Sequence, residues 1–183
     1  MDTERKFYKL GTTFVSIIGV KRIQAKDPGA VIDCLRRISD RVSVQAIDAN
    51  IIYGIEHLLE VLKVTLESKK RKIMIAKNPE TDLLLRLCYT NQISLALKYG
   101  AMKNDADCCF VILAKYKKEL LKVSDQINKL FKVDDSVLRP NKEKRRIISY
   151  KISLKHGPLL FDHDDDGSIF VRFISERSCL ITV

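Results

Sequence analysis

Six consecutive apolar residues, Cys108 to Leu113 (CCFVIL), constrain the fold of this chain more than any other stretch. Successive side chains of a strand point to opposite faces of its sheet. A strand that is apolar at every position therefore belongs at the centre of a sheet, covered on both sides. Two further segments read as strands, Thr13 to Gly19 (TFVSIIG), rich in β-branched residues, and the shorter Val42 to Ile47.

The covering layers are helical. Asp27-Pro28 is a helix start, because aspartate accepts from the free N–H groups and proline has no donor to leave unsatisfied; the helix runs to about Ser39. The longest helix starts near Asn50 and carries Ile51, Ile55, Leu58, Leu59, Leu62 and Leu66, the spacing of one buried stripe. It closes in Ser68-Lys69-Lys70-Arg71-Lys72, cations suited to a helix C-terminus. Ile73 to Ala76 reads as extended. Asn78-Pro79 starts another helix, and Gln92 to Tyr99 a shorter one with Gly100 as its terminating residue. Lys117 to Phe131 and a basic segment from Asn141 to Ile148 complete the set.

Strands alternating with helices give an α/β fold, a mixed sheet with helices packed on it, as a single domain over residues 1–149. Residues 150–183 read as a β-type extension. There Leu159 to Phe161 and Ile169 to Phe173 flank Asp162-His163-Asp164-Asp165-Asp166-Gly167, a hairpin pattern. Asp162, Asp164, Asp166 and Gly167 also match the start of a calcium loop. The twelfth position is Phe173, however, where a bidentate glutamate is required, so an acidic hairpin tip is the preferred reading.

At 183 residues the chain can bury a core without staples. It has no run of about 18 apolar residues and no secretory leader at Met1 to Lys6, so the expected location is cytoplasmic, with no membrane partner. Cys34, Cys88, Cys108, Cys109 and Cys179 form no C-x-x-C pair and read as reduced, mostly buried thiols. With 33 Lys plus Arg against 23 Asp plus Glu, the formal charge is +10. That excess suits a phosphate-rich partner without establishing one.

The segment Asp82 to Gly100 (DLLLRLCYTNQISLALKYG) resembles the signature of the KEOPS kinase-binding subunit family, called TPRKB in animals. The matching positions are Asp82 with Leu83 to Leu85, the turn Cys88 to Thr90, Asn91 to Ala96, and Tyr99-Gly100. Glu56-His57-Leu58-Leu59 and the connector Lys70 to Lys72 agree, and Asp134-Asp135-Ser136-Val137-Leu138 resembles a turn of archaeal members. In order, these cover residues 13–148. Two departures stand out. Cys88 and Tyr89 replace the small glycine or serine of the turn, and the helix that usually ends the family is not legible after Tyr150.

The resemblance implies a non-enzyme without cofactor or metal. Such a protein docks on the small kinase/ATPase subunit of the KEOPS complex and helps capture tRNA, not DNA, by its 3′ CCA tail, for threonylcarbamoyladenosine modification. It does not assign the kinase-contact residues. Holding an unpaired tail needs cations for phosphates and flat or amide side chains for bases. Lys69, Lys70, Arg71, Lys72 and Lys77 are the expected cations, and Arg86, Tyr89, Asn91 and Gln92 the expected base contacts. Without the resemblance, Lys69 to Lys72 reads as a solvated run closing a helix and Asn91 as an N-cap. Likewise Lys142, Lys144, Arg145 and Arg146 either extend the basic field or form the exposed face of a helix that buries Ile147 and Ile148.

No catalytic set emerges. His57 lies among Ile55, Leu58 and Leu59 and reads as a core-edge histidine, and no G-x-x-x-x-G-K-[ST] loop is present. The competing readings are a small α/β enzyme acting on an anionic metabolite and a generic RNA-binding module.

Overall fold

A computed structural model describes residues 7–25, 27–156 and 167–181. In chain order these form β1 (Phe7–Leu10), β2 (Thr13–Val20), α1 (Pro28–Arg37), β3 (Val42–Asp48), a 3₁₀ turn (Ala49–Ile51), α2 (Gly54–Arg71), α3 (Pro79–Leu87), α4 (Ile93–Gly100), β4 (Cys108–Ala114), α5 (Lys117–Leu130), a second 3₁₀ turn (Asp135–Leu138), α6 (Lys142–His156) and α7 (Gly167–Cys179). The α/β class expected from the alternating pattern is the one observed. The chain makes two compact units. One comprises residues up to Ile47 and Met102 to Val137; the other comprises Asp48 to Ala101 and the residues from Leu138 onward.

The first unit holds the sheet, in the order β1-β2-β4-β3. β1 and β2 form an antiparallel hairpin, with Gly11 at φ +60 in its two-residue loop, a backbone region that favours glycine. β2 and β4 are also antiparallel, from Phe14 opposite Ala114 to Val20 opposite Cys108. All seven residues of β4 are buried, as its unbroken apolar run requires. Ile18, Val20, Phe110 and Ile112 pack with Leu35 of α1 and with Leu120, Val123 and Ile127 of α5. Burying each such side chain contributes about 1.5–3 kcal/mol. α1 starts as expected, with Asp27 Oδ1 accepting from Ala30 N–H at 3.1 Å and proline in the first turn.

Beyond β1, residues 132 to 135 lie along β2. Gly19 N–H donates to Asp135 Oδ1 at 2.8 Å, and Asp134 N–H donates to Gly19 O at 2.8 Å. The Asp134-Asp135 turn thus has a structural task, and Gly19 permits it. A Cβ there would lie 2.7 Å from Asp134 O and 2.9 Å from Asp135 Cα, both backbone atoms.

The second unit is helical. Its long helix starts at Gly54, with φ +89, rather than near Asn50, because Ala49 to Ile51 turn first into the 3₁₀ conformation. Leu58, Val61, Leu62 and Thr65 form the buried stripe of α2. α3 starts at Pro79, but the Asn78 side chain makes no capping bond. Gly100 is helical rather than a left-handed stop. It is small because a Cβ there would overlap Cys88 Sγ and approach Leu84 Cδ1 to 2.9 Å. Ile73 to Ala76, expected as extended, belong to no strand.

The expected β-type extension is corrected by the structure. α6 runs through Tyr150 to His156, and the segment expected as the second hairpin strand lies in α7, which packs on α2 and α3. Its inward side chains are Phe170, Ile174, Ser175 and Ser178, at helical spacing. Small serines on that face hide the period, so Ile169 to Phe173 mimic a strand. Phe170 and Ile174 join Tyr53, Tyr89, Ile148 and Ile152 in one core. Asp162, Asp164 and Asp166 of the considered calcium loop, with His163, lie outside the described residues.

Gly19→Ala is expected to lower unfolding free energy by about 1–3 kcal/mol, since the two atoms nearest the new methyl are backbone. Urea denaturation of the purified variant checks this, and an unchanged midpoint would remove the docking role assigned to Gly19.

Candidate functional site

The expected contact residues all fall in the second unit, around the end of α2 and the turn from α3 to α4. α2 ends in a Schellman motif. Lys72 is left-handed at φ +60, its N–H reaches Lys69 O at 3.2 Å, and Ile73 N–H reaches Ser68 O at 2.9 Å. The closure turns Ser68 inward and leaves Lys69, Lys70, Arg71 and Lys72 exposed. Lys77, Asn91 and Gln92 are exposed as well. Arg71 pairs with Glu67 at 2.7 Å on the surface, where such pairs contribute little. Asn91 is not the cap of α4. Gln92 holds that position, and Thr90 Oγ1 accepts from its N–H at 3.2 Å.

Arg86 and Tyr89 are corrections. Arg86 is 3% exposed and Tyr89 fully buried, so neither presents a face to a base. Arg86 Nε–H donates to Asp82 Oδ2 at 2.7 Å, while its other nitrogens donate to Ser68 Oγ at 3.1 Å and Ser178 O at 3.2 Å. Asp82 Oδ1 accepts from Ile75 N–H at 2.7 Å. One ion pair thus ties α3 to the ends of α2 and α7 and to the loop after α2.

Tyr89 occupies the turn where the family pattern has a small residue. The turn does need unusual backbone: Tyr89 stands at φ +52, and Tyr89 and Thr90 N–H close α3 onto Arg86 O and Leu85 O. A left-handed non-glycine residue costs about 1–2 kcal/mol, and the buried ring offsets it. The Tyr89 hydroxyl lies 3.5 Å from His57 Nε2, while His57 Nδ1 accepts from Tyr53 N–H at 3.2 Å. The neutral ring therefore carries its proton on Nε2 and donates toward Tyr89. Burial, and then the positive Lys144, pull the His57 pKa down to about 3. His57 is accordingly a neutral core residue.

The second basic cluster is divided. Lys144 is buried and donates to Ile52 O at 3.0 Å, and the Arg145 guanidinium lies 4.7 Å from the Phe170 ring centroid. Only Lys142 and Arg146 are exposed, Arg146 paired with Glu143 at 2.8 Å. Lys144, Ile148 and Ile152 recur every fourth residue, a spacing that marks one helix face and was the available signal for Lys144.

Along the end of α2, Ser68, Arg71, Ile73, Arg86, Cys179 and Ile181 line a groove of about 580 Å³. Among the described residues no group of three His, Cys, Asp or Glu could hold a metal ion, and no helix is long and apolar enough to cross a membrane.

A family model described as kinase binding protein CGI-121 matches residues 21–156. The chain belongs to this family. It is the kinase-binding KEOPS subunit family that Asp82 to Gly100 resembles. The matched region of this CGI-121 family member runs through α2, α3, α4 and α6 and includes the exposed basic end of α2. No curated protein matches the chain.

Replacing Arg86 by Met leaves Asp82 buried without its counter-charge and is expected to destabilise by about 3–5 kcal/mol in thermal or urea unfolding. A loss below about 1 kcal/mol would contradict the clamp. His57 predicts acid sensitivity with a definite sign. Below pH 6.5 the unfolded chain takes up a proton that the folded chain refuses until about pH 3, so stability falls as pH falls through that window. The slope is roughly 1.4 kcal/mol per pH unit. Between pH 6.5 and 5, His57→Gln should flatten the dependence of the urea midpoint, and an unaltered slope would refute it.

Proposed function

We propose that the chain is a non-catalytic KEOPS subunit. It binds the kinase/ATPase subunit of that complex and helps recruit tRNA through its single-stranded 3′ CCA tail for threonylcarbamoyladenosine modification. The carrying observation is the match of residues 21–156 to a kinase-binding family.

The tRNA half is supported by the exposed cations Lys69, Lys70, Arg71, Lys72 and Lys77 and by the shallow groove at the end of α2. Exposed cations neutralise backbone phosphates, and each contact with single-stranded RNA adds about 0.7 to the salt slope of binding. Asn91 and Gln92 supply exposed amides at the start of α4. With Arg86 and Tyr89 inside, recognition rests on phosphate and amide contacts. The reading that His57 and carboxylates form an enzyme pocket loses its base, since His57 is enclosed by Tyr53, Tyr89 and the positive Lys144.

Binding of the purified chain to full-length tRNA and to tRNA lacking its CCA end, at two salt concentrations, tests the RNA half. Loss of the tail should weaken binding about tenfold or more, and Lys70→Ala with Arg71→Ala should weaken it and flatten the salt slope. Equal binding of both tRNAs would overturn tail capture. Failure to co-purify with a KEOPS-type kinase would overturn the kinase half.

A further inference from the structure

The first unit carries a second concentration of positive charge that the proposed function does not use. It lies where β1, β2 and the start of α5 meet. Register places Lys9 opposite Phe14 and Phe14 opposite Ala114, so one row across three strands leads directly into Lys115-Tyr116-Lys117-Lys118. All four of those residues are exposed, and so is Lys9.

Three of these lysines stand over aromatic rings. Lys9 Nζ is 5.9 Å from the Phe14 centroid, Lys117 Nζ 5.1 Å from Phe7, and Lys115 Nζ 5.5 Å from Tyr116. Phe7 and Phe14 are half-buried and pack against the core, so they anchor the ammonium groups of lysines that remain exposed. Tyr116 differs, because half of it is exposed.

Beyond these ring contacts, stability of the fold does not explain four lysines at one corner. Lys117 and Lys118 open α5, where the helix dipole disfavours cations. The nearby Glu119 carboxylate is already engaged by Ser39 and Lys122. Concentrated cations with an accessible ring match a chain of phosphates bearing unstacked bases. A lipid surface would call for several exposed apolar side chains to insert, and this corner offers one phenol ring.

We infer that this corner binds single-stranded RNA, with Lys9, Lys115, Lys117 and Lys118 contacting backbone phosphates and Tyr116 stacking on an unpaired base. The surface is separate in sequence and in unit from the cations at the end of α2, so the inference stands or falls independently of tail capture.

The test is fluorescence anisotropy of the full chain with a labelled ten-nucleotide RNA lacking a CCA end, at several salt concentrations. The expected results are a loss of about tenfold or more and a salt slope lower by about 2 for K115A/K117A/K118A, from three phosphate contacts at about 0.7 each. Tyr116→Ala should weaken binding about tenfold while Tyr116→Phe retains it. Because these side chains are exposed, unchanged circular dichroism and thermal midpoint should confirm folding. Wild-type binding by the triple variant overturns the inference. So does a triple variant that loses only binding to phosphatidylserine vesicles, which would mark a lipid contact. A loss confined to K69A/K70A/K72A would leave the α2 surface as the RNA contact and remove this one.

Discussion

The second unit is organised around one buried ion pair. Taking a guanidinium and a carboxylate out of water is expensive, and the loss is recovered only when nearly every donor and acceptor finds a partner. Arg86 and Asp82 meet that condition with Ser68, Ser178 and Ile75, groups from three other places in the chain. The pair therefore does more than join two residues of α3. It sets where α2 must end, where α7 must end, and how the loop after α2 must leave. The exposed lysines at the close of α2 hold their positions because Ser68, one turn away, is held from inside.

The two helix closures follow from the same constraint. α2 and α3 both end with a left-handed non-glycine residue, Lys72 and Tyr89, and each closure bonds the last carbonyls in the Schellman pattern. Glycine would be easier at either position. At Tyr89 the ring fills the core beside His57, which offsets the strain. At Lys72 the side chain stands in water. The basic excess thus divides by burial. Arg86 and Lys144 are structural cations, whereas Lys69, Lys70, Lys72 and the lysines after β4 face solvent.

The positions of the cations were legible as residues but not as roles. Arg86 and Tyr89 sit at a helix end, where polar and aromatic side chains are usually accessible, and it is the packing of α6 and α7 that encloses them. α7 itself was hidden, because serines on its inner face interrupt the apolar period and leave five residues that imitate a strand. His57 showed the opposite behaviour: three apolar neighbours announced a core-edge position, and its full burial is what lowers its pKa.

Local chemistry in the sequence determined the buried central strand, the capped start of α1, the amphipathic stripe of α2, the run of helices that followed it and the resemblance to a kinase-binding family. Each depends on spacing or on a side chain acting within a turn of itself, so each is written in consecutive residues. Tertiary structure decided what depends on distant partners: the helical end of the chain, the small residue at Gly19 and at Gly100, and the burial of Arg86, Tyr89 and Lys144. A charged or aromatic side chain carries no local mark of whether another helix will cover it. That is a property of how apolar faces pair, and it separates the cations that hold this protein together from those left in solvent.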